Sequence, residues 1–249
     1  VTELSETILS GAHYPKTWDD FIGQAKAKRH LILAAKSAKA RGVTMGHVLL
    51  SSTVPGIGKT SMALLLSTEL GAETMRVNTG PVKLAQVPYL FNGLKDGDVL
   101  FLDELHRLVQ GGKNNAEWLL HYLQDGLVAG PLGMERGPKV TVIGATTDAG
   151  KLPATIRDRF EISPTLLPYG PEEGALIASK LAGKVLTPAD MPLPVPAVAA
   201  AISAAANNSP RHMLRILCAL RELVYGGEVD RNDGDYDLVE AFDLAEVTS

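Results

Sequence analysis

Cysteine is almost missing from this sequence: Cys218 is the one thiol among 249 residues. That excludes a disulfide framework or a cysteine-built zinc site within one chain, and it points to a reducing, cytoplasmic setting. Cys218 lies in the apolar run Met213 to Val224, where it is predicted to pack as a small hydrophobe. Long apolar runs are also lacking. No stretch reaches the roughly 18 uninterrupted apolar residues of a membrane span, and the best candidate, Leu193 to Ala206, is interrupted by prolines and Ser203. The first residues show no basic segment followed by an apolar core, so no secretion signal is read. There is no internal repeat and no strong excess of one charge. The formal charge of −4 conceals a local imbalance, because residues 228 to 249 carry eight acids against Arg231 alone. That tail reads as a solvated helix face and leaves the preceding chain slightly basic, a balance that neither demands nor forbids nucleic acid.

What is present begins with Thr53-Val-Pro-Gly-Ile-Gly-Lys-Thr60, directly after the apolar run Val48-Leu49-Leu50. Two glycines followed by Lys-Thr, between a strand pattern and a helix pattern, have the spacing of a phosphate loop. The loop amides would converge on phosphate oxygens, Lys59 would add a point charge near the β and γ phosphates, and Thr60 would hold Mg²⁺. Pro55, Gly56, Ile57, Gly58, Lys59, Thr60 and Ser61 are the residues read as binding the nucleotide. The loop pattern expects glycine at its first position, where this sequence has Thr53, a stiffer residue.

A second motif, Asp98-Val-Leu-Phe-Leu-Asp-Glu-Leu-His-Arg107, is a buried parallel-strand pattern ending in two adjacent acids. Asp103 is placed to ligate Mg²⁺ and Glu104 to polarise the water that attacks the γ-phosphate. A third strand, Thr141 to Thr147, carries hydroxyls at its carboxyl end. Arg157-Asp158-Arg159 reads either as a surface ion-pair cluster or as a source of transition-state charge supplied in trans.

Strand and helix patterns alternate from His47 to Thr146: strands at 47–51, 73–78, 99–103 and 140–146, and helices at 61–70, 84–92 and 116–124, after a helix over 25–41. The fold class predicted is α/β, a P-loop parallel sheet with helices on both faces. Glycines 126, 130, 133 and 137 with Pro131 predict a hairpin projecting from it. After Leu167-Pro168-Tyr169-Gly170-Pro171 come helices only, over 171–185, 195–206, 210–225 and 236–247, with a weaker helical signal over 1–13. Ser209-Pro210 predicts a helix start with a capping side chain and proline at the first helical position. Residues 1–167 are therefore expected to form the nucleotide-binding domain and 168–249 a small all-helical lid.

The order of these motifs resembles the AAA+ ATPases, and within them the RuvB family of bacterial Holliday-junction branch-migration motors. The residues that carry the resemblance are Tyr14-Pro15-Lys16-Thr17 with Phe21-Ile22-Gly23-Gln24, the phosphate loop, Leu102-Asp103-Glu104-Leu105-His106-Arg107-Leu108, Ile143-Gly144-Ala145-Thr146-Thr147, Arg157-Asp158-Arg159-Phe160 and Ser209-Pro210-Arg211. The resemblance implies that ATP and Mg²⁺ are the cofactors and that Asp103 and Glu104 are the Walker B pair. It makes Thr147, or Thr146, the first sensor, Arg159 the finger acting on a neighbour's ATP, and Arg211 the second sensor. Tyr14, Pro15, Ile22 and Tyr169 fall where the family surrounds the adenine, although the family has arginine at position 14.

It further implies a homo-oligomeric ring or spiral, hexameric in the family, that acts on DNA with a junction-binding partner protein. No segment of this sequence matches the family's winged-helix DNA-binding domain, and the 126–138 hairpin is shorter than the family hairpin that docks the partner. Without a winged helix, DNA would be met through its phosphates by ring-facing loops, for which Lys83, Arg136 and Lys139 are the candidates. A helicase or clamp loader, and an ATP-binding scaffold in which Thr53 has spoiled turnover, are the rival readings.

Overall fold

A computed structural model describes residues 13–78, 91, 93–110, 113–130, 133–186, 193–228, 236 and 238–247. The chain divides into two compact units. One contains Gln24–Val54 and Lys59–Leu167; the other contains Pro168–Ser249 together with Val1–Gly23 and Pro55–Gly58.

The first unit is built on a five-stranded sheet of β1 (Val48–Ser52), β2 (Thr74–Asn78), β3 (Val99–Asp103), β6 (Thr141–Thr146) and β7 (Thr165–Leu166), in the order β2-β3-β6-β1-β7. Every pairing in it is parallel. Parallel sheets are covered on both faces, so their strands read as continuous apolar runs rather than alternating ones. Accordingly β6 is buried at all its positions and β3 at all but Asp103. Because the strands run the same way, Ser51, Asp103 and Thr146 emerge together at the carboxyl edge, with Ser51 opposite Thr146 and Asn78 opposite Asp103.

Helices α1 (Ala25–Arg41), α2 (Lys59–Leu70) and α4 (Lys113–Asp125) lie where the sequence predicts helices, whereas the short α3 (Leu105–Gln110) is one it does not predict. In α1 the buried residues are Ala27, Leu31, Ala35 and Ala38, one stripe at helical spacing. Gly42 ends the helix at φ 63°, its N–H donating to the carbonyls of Ala38 and Lys39. One core cluster joins Leu100, Leu102, Leu105, Leu108, Leu119 and Phe160. Gly144 lies under it, where a Cβ would come within 2.7 Å of Leu105 Cδ2, so the strand needs a glycine for close packing. The predicted hairpin is formed by β4 (Leu127–Gly130) and β5 (Gly133–Arg136), an antiparallel pair with β5 exposed throughout. The helices predicted over 84–92 and, more weakly, over 1–13 fall almost entirely outside the described residues, and Lys83 lies outside them.

The second unit is helical: α6 (Pro171–Val185), α7 (Pro196–Ala205), α8 (Pro210–Gly226) and α9 (Val239–Val247), after the short α5 (Ala154–Arg157) of the first unit. Proline opens each of α6, α7 and α8, where its missing N–H costs nothing. Met213, Leu214, Leu217, Cys218, Leu220 and Val224 form the buried face of α8, and burial pushes the Cys218 thiol pKa up. The side-chain cap predicted at Ser209 does not form: Ser209 is the N-cap residue but makes no capping hydrogen bond. Its hydroxyl lies instead against Gly56, 2.9 Å from where a Cβ there would sit.

Candidate active site

Lys59 is the first residue of α2 and only 6% exposed. Its Nζ donates to Ser52 Oγ at 2.6 Å, and Ser52 Oγ in turn donates to the Val54 carbonyl at 2.8 Å. A buried ammonium at the positive end of a 12-residue helix is costly unless anions meet it. The donor set therefore fits a phosphate group.

In the loop, Gly56 and Gly58 have φ values of 75° and 98°. These are left-handed conformations that glycine adopts without steric cost. Neither position has room for a side chain: a Cβ at 56 would come within 2.9 Å of Arg211 Cβ, and one at 58 within 3.0 Å of the Phe21 ring. Thr53 is not among the positive-φ residues, so this β-branched residue stays out of the left-handed region that would strain it.

At the end of β3, Asp103 Oδ1 accepts the Glu104 N–H at 3.1 Å, while Oδ2 accepts from Arg76 Nη2 at 2.9 Å. Glu104 has φ 55°, a left-handed backbone uncommon outside glycine. Thr147 Oγ1 donates to Glu104 Oε2 at 3.3 Å. Thr146 is fully buried and faces His106 Nδ1 at 3.0 Å, accepting the Asp148 N–H on the same hydroxyl. The two threonines are thus separated in role by their geometry, and Thr147 is the one in reach of Glu104.

Among the described residues no group of three or more His, Cys, Asp or Glu side chains forms a metal cage. Mg²⁺ in nucleotide sites is usually held by one or two carboxylates and substrate phosphates rather than by such a cage. Thr60 and Asp103 are the residues that would hold it.

Arg159 is exposed, set between the buried side chains of Ile156 and Phe160. Arg157 Nη1 donates to the Ala149 carbonyl at 3.4 Å. Among the described residues none of Arg157, Asp158 and Arg159 makes an ion pair.

In the helical unit Tyr169 is 6% exposed, and its hydroxyl donates to the Ile57 carbonyl at 2.9 Å. Asn208 Nδ2 donates to the Tyr169 carbonyl at 3.2 Å, just ahead of α8, the helix that carries Arg211. Tyr14 and Ile22 are half-buried, and Pro15 with them. The Tyr14 carbonyl accepts from Lys184 Nζ at 3.0 Å, and burial lowers the Lys184 pKa.

Sequence reasoning assigns no individual role to Ser52, Phe21, Arg76 or His106. Ser52 at the strand end ahead of the loop is the available signal for the first. Arg76 is found only from the β2–β3 register.

A family model described as the Holliday junction DNA helicase RuvB P-loop domain matches residues 13–166. The RuvB subunit of the Holliday junction branch migration complex from Streptomyces avermitilis is 34% identical over 233 residues, covering 88% of this chain and 62% of its own length. The corresponding subunit from Anaeromyxobacter sp. is 36% identical over 228 residues, 89% of this chain and 65% of its own. The chain thus spans less than two thirds of these relatives. Among solved structures, the Thermotoga maritima RuvB Holliday junction branch migration motor superposes with a TM-score of 0.76 at 30% identity, over 95% of this chain and 73% of that one. With the phosphate loop, the acid pair and the parallel sheet all in their places, the chain belongs to the RuvB family of AAA+ P-loop proteins.

Proposed function

We propose that this chain binds MgATP, hydrolyses it, and uses the cycle to drive a RuvB-like oligomer along DNA. The observation that carries the reading is the carboxyl edge of the sheet, where the buried Lys59, Asp103 and the Glu104–Thr147 pair follow three parallel strands. Lys59 and the loop amides would bind the phosphates, with Thr60 and Asp103 holding Mg²⁺. Glu104 would take up the proton of the attacking water, with Thr147 orienting its carboxylate. Bound Mg²⁺ would spread the negative charge that builds on the phosphate oxygens.

Arg159 suits a finger supplied to a neighbour, since it is exposed, makes no ion pair among the described residues and is anchored by buried neighbours on both sides. Such a finger requires a head-to-tail interface, which closes into a ring or grows into a spiral. Arg211 would act as the second sensor, and Tyr14, Pro15, Ile22 and Tyr169 would border the adenine, by the family resemblance. The named relatives work on Holliday junctions within a branch migration complex. DNA is accordingly the proposed track, a junction-binding protein the proposed partner and the cytoplasm the proposed site of action.

The test is a pair of variants. Lys59→Ala removes the charge that meets the phosphates and abolishes ATP binding. Glu104→Gln keeps the phosphate cradle, so ATP still binds while hydrolysis falls by two orders of magnitude or more, on the order of a general base's contribution. Near-parental turnover in Glu104→Gln would sink the reading.

A further inference from the structure

Glu104 is the carboxylate on which the proposed chemistry depends, and its backbone is held at φ 55°. A non-glycine residue there costs on the order of 1–3 kcal/mol and persists only where its surroundings hold it. Alongside Thr147, His106 also approaches this carboxylate, with Nδ1 3.4 Å from Glu104 Oε2. His106 is 8% exposed, on the short helix α3 immediately after the acid pair. The same Nδ1 lies 3.0 Å from Thr146 Oγ1.

The position of the carboxylate fixes which tautomer the ring adopts. A lone pair on Nδ1 would face a carboxylate oxygen, which is repulsive, whereas an N–H there is attracted both to Oε2 and to Thr146 Oγ1. Thr146 is itself fixed by the Asp148 N–H at 3.0 Å, so the ring has a rigid reference point. Glu104 Oε2 therefore sits between two donors, His106 Nδ1 and Thr147 Oγ1. One comes from the helix after the acid pair and the other from the residue just after β6.

We propose that His106 is a positioning residue for ATP hydrolysis. Its Nδ1–H holds the Glu104 carboxylate at the angle from which it polarises water, and Thr146 sets the ring. This rests on the assignment of Glu104 made above. It explains why two consecutive threonines are used: Thr147 touches the carboxylate directly, and Thr146 acts on it through the imidazole. A residue acting this way affects the chemical step and leaves ground-state nucleotide binding alone.

The experiment compares His106→Leu, which keeps bulk and removes the donor, with His106→Asn, whose amide Nδ2 places a donor where Nδ1 was. Steady-state ATPase kinetics and equilibrium binding of ATP are measured for both, alongside Glu104→Gln. The inference requires kcat of His106→Leu to fall about 10- to 100-fold, the usual effect of losing an outer partner that orients a functional group. ATP affinity should stay within about twofold, which also certifies the fold, and His106→Asn should recover to within about threefold of the parent.

Added to Glu104→Gln, His106→Leu should have no further effect, because both act on one carboxylate. Equal kcat in the Leu and Asn variants overturns the inference, whether both are as slow or both as fast as each other. Should His106→Leu lose ATP binding, His106→Asn decides: it must then bind and turn over like the parent, and if it does not, a structural role replaces the positioning one. If Glu104→Gln turns over at the parental rate, the assignment of Glu104 itself falls. If Glu104→Gln is inactive while His106→Leu is not, only the role of His106 falls.

Discussion

The Tyr169 hydroxyl donates to the Ile57 carbonyl at 2.9 Å, which ties an aromatic at the start of the helical segment to the middle of the phosphate loop. The tyrosine ring also borders Gly58, 3.4 Å separating its Oη from the site of a Cβ there. The residue that the family resemblance places beside the adenine is therefore also a fixed point for the loop backbone. Tyr169→Phe removes only the hydroxyl and leaves a buried carbonyl with one partner fewer, at a cost of about 1 kcal/mol or somewhat more. We expect denaturant unfolding to register that loss, and calorimetric ATP titration to show weaker binding at nearly constant kcat. Unchanged ATP affinity beside the lost stability would confine the hydroxyl to packing.

A half-buried histidine contributes to the pH dependence of stability. His47, which precedes β1, accepts the Val142 N–H on Nδ1 at 3.1 Å, and burial lowers its pKa from 6.5 to about 4. Between those values the unfolded chain binds the proton and the folded one does not, so stability rises with pH across the window and is lost as pH falls through it. The full effect of this one group is on the order of 3 kcal/mol at pH 4. His47→Asn keeps an acceptor for Val142 and does not titrate there. Its Tm should decline less steeply than that of the parent from pH 6.5 to 4. Parallel Tm curves would show that the imidazole is protonated in the folded state.

Much of this architecture can be read directly from the chain, because parallel strands buried on both faces give uninterrupted apolar runs and their carboxyl ends carry the polar residues. Val99 to Leu102 followed by Asp103-Glu104 is such a case, and so is Val48 to Leu50 before the glycine loop. What could not be read depends on register and direction. The Arg76–Asp103 pair exists because β2 and β3 align Asn78 with Asp103, and no local pattern encodes that alignment. The choice between Thr146 and Thr147 was also open, since adjacent hydroxyls differ only in which way each one points. The pleat buries Thr146 toward His106, and the strand ends before Thr147. Ser209 looked like a helix cap because its neighbours Asn208 and Pro210 fit one. Its hydroxyl instead lies against Gly56, a residue more than 150 positions away in the chain.

DNA binding, on the proposed function, falls to loops and the hairpin and should be dominated by phosphates. Arg136 and Lys139 are exposed at and just after β5. Removing one cation that neutralises a phosphate should lower the salt dependence of log K by a slope of about 0.9. Arg136→Glu with Lys139→Glu should therefore weaken ATP-dependent binding at low salt, flatten its salt slope, and do so equally for unrelated DNA sequences. Binding that is unchanged in strength and slope would remove the hairpin from the interface and leave DNA to other loops.

The position of Arg159 makes the most specific claim about assembly. The arginine is exposed while Ile156 and Phe160 on either side of it are buried. The backbone around it is thereby fixed while the guanidinium faces away from its own core. Arg159→Ala should bind ATP like the parent, because it removes nothing from the phosphate loop of its own subunit. Hydrolysis should fall by a factor on the order of 10³, the usual consequence of losing an arginine finger. Lys59→Ala has the opposite defect, with an intact finger and no ATP in its own loop. Mixed oligomers should therefore regain turnover at subunit boundaries where a Lys59→Ala finger meets an Arg159→Ala pocket, with a maximum at intermediate mixing ratios. If mixed oligomers form, as tagged co-purification would establish, and turnover stays at the level of the two parents at every ratio, then Arg159 does not act across the subunit boundary.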